Sequence, residues 1–194
     1  MLCYNRQVLH VVNPAGNSAG KRKNEVNSRV IYFLIALVAF LIDQGTKYLI
    51  ATQLIIGEQI PVIGNFFLIT SSRNRGAAFG ILQEQRWFFI VITVVVVVGI
   101  IWYLQKIRRT SKKMLSIALS LVLGGAVGNF LDRAVSGEVV DFLQLNFGSY
   151  TFPIFNIADS CIVIGVILIV LDSLLDIRRE KHASSTGQEQ EEQL

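Results

Sequence analysis

The chain has 194 residues, of which 52% are hydrophobic and only 16% charged, against about 25% charged in an ordinary soluble domain. A water-soluble protein of this size could not hide that much apolar surface, so the composition excludes a soluble globule and makes a bilayer the solvent. The net charge of +4 would suit nucleic acid, but the basic residues cluster beside the apolar runs, where membrane proteins carry them to fix orientation; no nucleic-acid partner is expected.

In chain order, residues 1–29 form a polar extension rich in Gly, Asn and Ser. Its charged stretch is too long for a cleavable signal peptide, and no small-residue cleavage site follows the first apolar run. Four segments reach the length of about 20 residues that a bilayer crossing needs: 30–50, 87–104, 114–131 and 154–177. The valine run 94–98 would suit a strand in water, yet its length and lack of alternation make it a helix in lipid. Between the first two spans, residues 59–70 are rich in Ile, Val and Phe and suit short strands lying over the membrane. Residues 139–155 read as a hairpin turning at Gly148 and Ser149. The end, 178–194, is rich in Gln and Glu and reads as a disordered cytoplasmic tail. The expected fold is an all-α membrane protein with a transmembrane domain over 30–177.

Orientation follows from Lys and Arg. Arg6, Lys21, Arg22, Lys23 and Arg29 precede the first span; Lys106, Arg108, Arg109, Lys112 and Lys113 link the second to the third; Arg178, Arg179 and Lys181 follow the fourth. Four spans put all three clusters on one side, which the positive-inside rule makes the cytoplasm, with both termini. Trp87, Trp102 and Tyr103 then fall at the two interfaces.

Ionisable groups inside spans are costly unless paired, hydrated or functional. Asp43 lies roughly 20 Å along the first span at 1.5 Å per residue, with Lys47 one turn further out. Asn129, Asp132 and Arg133 share a face at the outer end of the third span. Asn156 and Asp159 open the fourth, and Asp141 sits in the hairpin before it. All converge on the outer leaflet. Simpler readings exist for some. Asp43 and Lys47 suit an i,i+4 ion pair, Asp132 and Arg133 suit end-of-helix charges meeting headgroups, and Gly124 with Gly128 makes a helix-packing face. Asp172 and Asp176 read as structural, facing Arg179. Asp159 has no basic residue within a turn on its own helix, and Asp141 is its candidate partner.

His10 and His182 both fall in the tails, which excludes a histidine triad or histidine-rich metal site by location. Cys3 and Cys161 are far apart and read as free thiols. Two nearby carboxyls remain, a pair that tends to share one proton, so that one takes a proton from water while the other donates. No metal and no cofactor is expected.

Five blocks carry a resemblance: Asp43-Gln-Gly-Thr-Lys47, Asn74-Arg-Gly-Ala-Ala-Phe79, Gly124-Gly-Ala-Val-Gly-Asn-Phe-Leu-Asp-Arg133, Val139-Val-Asp-Phe142 and Phe155-Asn-Ile-Ala-Asp-Ser160. In that order the chain resembles the bacterial lipoprotein signal peptidases (type II), aspartic peptidases of the membrane. The resemblance implies four transmembrane helices, a small extracytoplasmic β-cradle and catalytic Asp141 and Asp159. It implies as substrate a diacylglyceryl prolipoprotein, cut just before its lipidated cysteine in the bacterial cell membrane. The family's other site positions fall on Asp43, Lys47, Asn74, Gly76, Asn129, Asp132, Arg133, Asn156 and Ala158. Of these, Asn74, Asn129, Arg133 and Asn156 are expected to hold substrate groups, and Asp43, Lys47 and Asp132 to support the site. Arg75 stands where the family more often has Thr. A monomer among membrane lipids is expected. The rival from another class is a small proton- or cation-coupled carrier, which needs polar groups through the whole membrane depth; a structural assembly factor would leave Asp141 and Asp159 without a role.

The topology yields a first test. In a chain whose Cys3 and Cys161 are replaced by Ala, Ser149→Cys reacts with an impermeant thiol reagent added outside the cell. Labelling only after the cytoplasm is opened overturns the orientation.

Overall fold

A computed structural model describes residues 14–76, 81–106 and 112–191, with side chains described over 30–76, 81–106 and 112–181. Ala77, Ala78 and Phe79 of the second block, together with Cys3, His10, Arg108 and Arg109, lie outside the described residues.

Four helices and one small sheet alternate along the chain: α1 (Pro14–Gln53), β1 (Gln59–Ile63), β2 (Phe67–Asn74), α2 (Arg86–Lys106), α3 (Lys113–Val135), β3 (Val139–Phe147), β4 (Tyr150–Thr151) and α4 (Ile157–Glu191). All four helices contain a stretch long and apolar enough to cross a membrane: Val30–Gln53, Arg86–Lys106, Lys113–Val135 and Ile157–Lys181. A helix satisfies its own backbone polar groups, which is what hydrocarbon demands. The outward faces stay apolar, with Val91, Val95, Val98, Val163, Val166 and Val170 all exposed as a lipid-facing surface.

α3 is the central helix and packs on the other three. Its glycines make this possible. A Cβ on Gly124 would meet the Ala36 carbonyl of α1, and one on Gly125 would meet the Ala158 carbonyl of α4. Small residues let helix backbones approach closely in lipid. Deeper along α3, Val122 and Leu123 join Ala36, Ile100 and Leu104 in the buried apolar cluster.

The sheet is antiparallel, in the order β1-β2-β3-β4. A register shift in β2 between Ile69 and Ser72 sets Ser72 opposite Asp141 and Asn74 opposite Val139. The strand segment before α4 is tied to the same sheet. Phe142 N–H and Leu143 N–H donate to Phe155 O at 3.0 and 2.8 Å, and Phe155 N–H returns to Leu143 O at 3.1 Å. These bonds hold the start of α4 against β3.

Two expectations need correction. The fourth helix begins at Ile157 rather than 154, because the residues after Pro153 are extended and Phe155 bridges to Leu143. The tail expected to be disordered from 178 is helical through Glu191. Its Arg, Glu, Gln, Lys and Ala are good helix formers, and extending an existing helix needs no new nucleus. The first helix is likewise helical from Pro14, the first described residue, well before the span.

The glycine packing gives a paired test. Gly124→Ala should cost about 1–3 kcal/mol by overpacking and lower the unfolding temperature in detergent. Gly99→Ala on α2, with nothing within 4 Å of the added Cβ, should leave it unchanged or raise it by up to about 1 kcal/mol of helix propensity. Equal effects would mean that close approach at Gly124 is not what holds α1 on α3.

Candidate active site

The site begins at the start of α4. Asn156 caps the helix: its Oδ1 accepts from Asp159 N–H at 2.9 Å, and Asp159 Oδ2 accepts from Asn156 N–H at 3.2 Å. This reciprocal pair is a capping box, with Asp159 in the role usually taken by Glu or Gln. The intervening Ala158 N–H donates to Asp43 Oδ1 of α1 at 2.8 Å. The N-terminal amides of α4 are thus satisfied by carboxylates and an amide, as a helix end requires.

Asp43 is fully buried and reaches α4 past Gly128, where any Cβ would collide with the carboxylate. One turn on, Lys47 Nζ lies 2.8 Å from each of three oxygens: Asp43 Oδ2, Asp132 Oδ2 and Asn129 Oδ1. Gln44 Nε2 donates to Asp132 Oδ1 at 3.1 Å and to Gly128 O at 3.2 Å. The ion pair foreseen between Asp43 and Lys47 therefore exists, but within a larger set that ties α1 to α3.

Asp141 enters from β3. Its Oδ2 accepts from Asn74 Nδ2 at 2.9 Å, and its Oδ1 accepts from Asn156 Nδ2 at 2.7 Å. Asp159 Oδ1 accepts from Asn129 Nδ2 at 2.7 Å. Each amide is held in one orientation by a donor on its own oxygen: Gly76 N–H on Asn74 (2.9 Å), Asp159 N–H on Asn156 and Lys47 on Asn129. Each oxygen of both carboxylates has its own N–H donor.

Both carboxylates line one cavity of about 660 Å³, whose walls are mostly apolar, with Phe89, Phe155, Ile162 and Val163 among them. Arg133 also lines it, donating to Gly76 O at 3.0 Å and lying 4.6 Å from the Phe89 ring centroid. Burial, then the neighbouring Asp159 charge, pushes the Asp141 carboxyl up to about 6, against the pull of the Asn74 and Asn156 amides and the Lys47 charge.

The structure brings all eleven sequence-nominated residues into this one region. Asn74, Asn129 and Asn156, expected to hold substrate groups, donate here to the two carboxylates. Ala158 acts through its backbone and its small size, being fully buried against Gly125. Arg75 pairs with Glu138 at 3.1 Å and Glu84 at 3.4 Å on the surface. At the other end of α4, Asp176 pairs with Lys112 at 3.1 Å and Arg179 at 3.6 Å. Two contributors were not nominated: Gln44 and Phe89. Gln44 carried a signal, since it is polar, within a span and beside Asp43; Phe89 carried none outside its contacts.

A bundle of four membrane-crossing helices that buries two amide-bound carboxylates beside an apolar cavity defines an integral membrane protein of hydrolytic type. The family model of signal peptidase (SPase) II matches residues 35–175. A lipoprotein signal peptidase of Bacillus pumilus (strain SAFR-032) is 52% identical over 156 residues, covering 80% of this chain and all of that protein. Two solved structures of a bacterial membrane enzyme, obtained by the in meso method at 2.3 and 1.9 Å, are each 46% identical. Their TM-scores are 0.71 and 0.67, covering 76% and 74% of this chain and 89% and 92% of theirs. The chain belongs to the signal peptidase II family and is a peptidase.

Because its folded-state value lies above the 3.8 of a free carboxyl, Asp141 stabilises the fold in its protonated form. That contribution is complete below about pH 4 and is lost as the pH rises through about 6, by up to about 1.4 kcal/mol for each pH unit crossed. Thermal unfolding in detergent from pH 3 to 8 should show wild type losing stability relative to Asp141→Asn across that window. A difference that does not vary with pH overturns the assignment.

Proposed function

We propose that Asp141 and Asp159 act as one catalytic unit that removes the signal peptide from diacylglyceryl prolipoproteins, cutting the bond before the lipidated cysteine. The observation that carries this reading is the pair itself: two carboxylates on one cavity, every oxygen held by an N–H, and walls that suit acyl chains. One carboxylate accepts a proton from a bound water as its oxygen attacks the scissile carbonyl. The other donates a proton to the carbonyl oxygen and then, through the same pair, to the leaving amine. Atoms and protons balance, since water supplies the OH of the new carboxyl and the H of the new amine. Lys47, Asp43 and Asp132 hold the frame, and Arg133 is available to the substrate. The chain sits in the cell membrane with both termini cytoplasmic and this site toward the outer leaflet, working as a monomer.

The test uses the purified protein with a diacylglyceryl prolipoprotein and its unlipidated counterpart. Cleavage of the first alone is expected, and equal rates on both overturn lipid recognition. Asp141→Asn and Asp159→Asn should each lower turnover by about 10³-fold or more while precursor binding survives, because an amide is nearly isosteric but cannot carry the proton. The double variant should be no worse than either single one. Substantial turnover by a correctly inserted single variant overturns the dyad.

A further inference from the structure

We propose that Lys47 is a positioning residue that assigns the roles within the carboxylate pair: by holding Asn129 in one amide orientation it makes Asp159 the proton acceptor and leaves Asp141 as the donor. This rests on the peptidase reading and goes beyond it, since that reading leaves the two aspartates interchangeable.

The two carboxylates receive equal numbers of hydrogen bonds but from different kinds of partner. Asp141, on a strand, takes two side-chain amides, from Asn74 and Asn156. Both amides are locked by backbone N–H groups, Gly76 and Asp159. Asp159 sits in the first turn of α4, where the helix dipole favours a negative charge, and takes the backbone N–H of its own capping box. Its remaining donor is Asn129. If that amide turned over, its oxygen would face the Asp159 carboxylate and Asp159 could bond it only by holding a proton itself. Asn129 does not turn over, because its oxygen accepts from Lys47 at 2.8 Å, the shorter of its two bonds, the other coming from Asn156 Nδ2 at 3.2 Å. An ammonium has three donors and no acceptor, so it rejects the NH2 face of the amide. Nor can Lys47 leave: it is 3% exposed and ion-paired with Asp43 and Asp132, each at 2.8 Å. Of the three amide locks in the site, this is the one made by a side chain.

Charge alone does not give the same result. The groups acting on Asp159 are Lys47 from α1, Arg133 from α3 and Asp141 from β3. Two carboxyl groups, Asp43 and Asp132, stand directly on the ammonium and offset its charge. What it delivers to Asp159 is a hydrogen bond of fixed direction, relayed through Asn129.

The experiment is a charge-matched substitution, Lys47→Met with Asp132→Asn, in the full chain reconstituted in lipid nanodiscs. Two readouts are taken: kcat/KM on the lipidated precursor against pH, and the infrared carboxyl titration of the protein without substrate. We expect the acid limb of the profile to move toward higher pH by about one unit or more, with kcat lowered at least about tenfold and KM nearly unchanged. The carboxyl titration should move with it. On an Asn129→Ala background, which has no amide to orient, the same substitutions should move the limb no further. A kcat loss with both pH readouts unmoved, or an equal shift on the Asn129→Ala background, overturns the proposal. Lys47→Arg keeps a cation between Asp43 and Asp132, so it guards against loss of the fold. The titration needs no turnover, so a wild type that fails to cleave lipidated precursor refutes the peptidase reading while the role of Lys47 is still decided.

Discussion

One buried ammonium organises the sheet-side half of the helix bundle. Removing Lys47 Nζ from water costs several kcal/mol, and that cost is offset by close partners of opposite charge and by hydrogen bonding. Nζ lies 2.8 Å from an oxygen of each of Asp43, Asp132 and Asn129, two as ion pairs and the third as a hydrogen bond. Two of those partners belong to α3, so the ammonium joins α1 to α3 at the depth where both helices approach the sheet. Asp43 then passes the connection on, because its second oxygen takes the Ala158 N–H of α4. Three helices are registered by one lysine and one aspartate. Gly128 is part of the same device, since a side chain there would occupy the place of the Asp43 carboxylate.

Asp159 serves two purposes with one carboxylate. As the third residue of α4 it completes the capping box with Asn156, a structural role worth about 0.5–2 kcal/mol in ordinary helices. As a wall of the cavity it faces Asp141. The two roles reinforce each other. A carboxylate that caps its helix cannot change rotamer freely, so the N–H groups that stabilise the helix end also aim the oxygen that faces the cavity. Asn156 links the two, because its Oδ1 caps the helix and its Nδ2 holds Asp141. The orientation of α4 against β3, fixed by the paired bonds between Phe155 and Leu143, brings the two carboxylates to the same cavity.

Hydropathy alone made the four spans legible, because hydrocarbon imposes length and composition directly. The convergence of Asp43, Lys47, Asn129, Asp132, Asn156 and Asp159 at one depth was legible too, as simple counting along helices. What each polar residue does was less so. The reading of Asn74, Asn129 and Asn156 as substrate holders came from resemblance, whereas their Nδ2 atoms are engaged by Asp141 and Asp159. For Asn156 the capping contact had a signal: Asn-x-x-Asp before an apolar run is a capping-box pattern. Asn74 carried no such signal, since its reach to Asp141 depends on the register shift within β2, a long-range feature. The tail was misjudged because polar composition suggested disorder, while propagation from an existing helix needs only good helix formers. Gln44 was passed over because a glutamine within a span invites less notice than a charge, although it bridges to α3.

The cavity itself follows from which helices do not meet. α3 packs on every other helix, while α2 makes its main contact with α3 alone. Phe89 and Thr93 of α2 face Ile162, Val163 and Ile164 of α4 across the cavity. Its apolar walls are thus continuous with the lipid-facing surfaces of two helices, and its polar floor is the carboxylate pair with Arg133. On the proposed function, an acyl chain entering such a space would stay in apolar surroundings, so the apolar part of a lipid-linked peptide would need little desolvation. Water is needed only at the floor, where the amide-bound carboxylates offer it partners. The low polarity of the walls also strengthens the hydrogen bonds at the floor, and burial is the first cause of the raised Asp141 carboxyl. One apolar gap left between α2 and α4 therefore both forms the cavity and raises the Asp141 carboxyl.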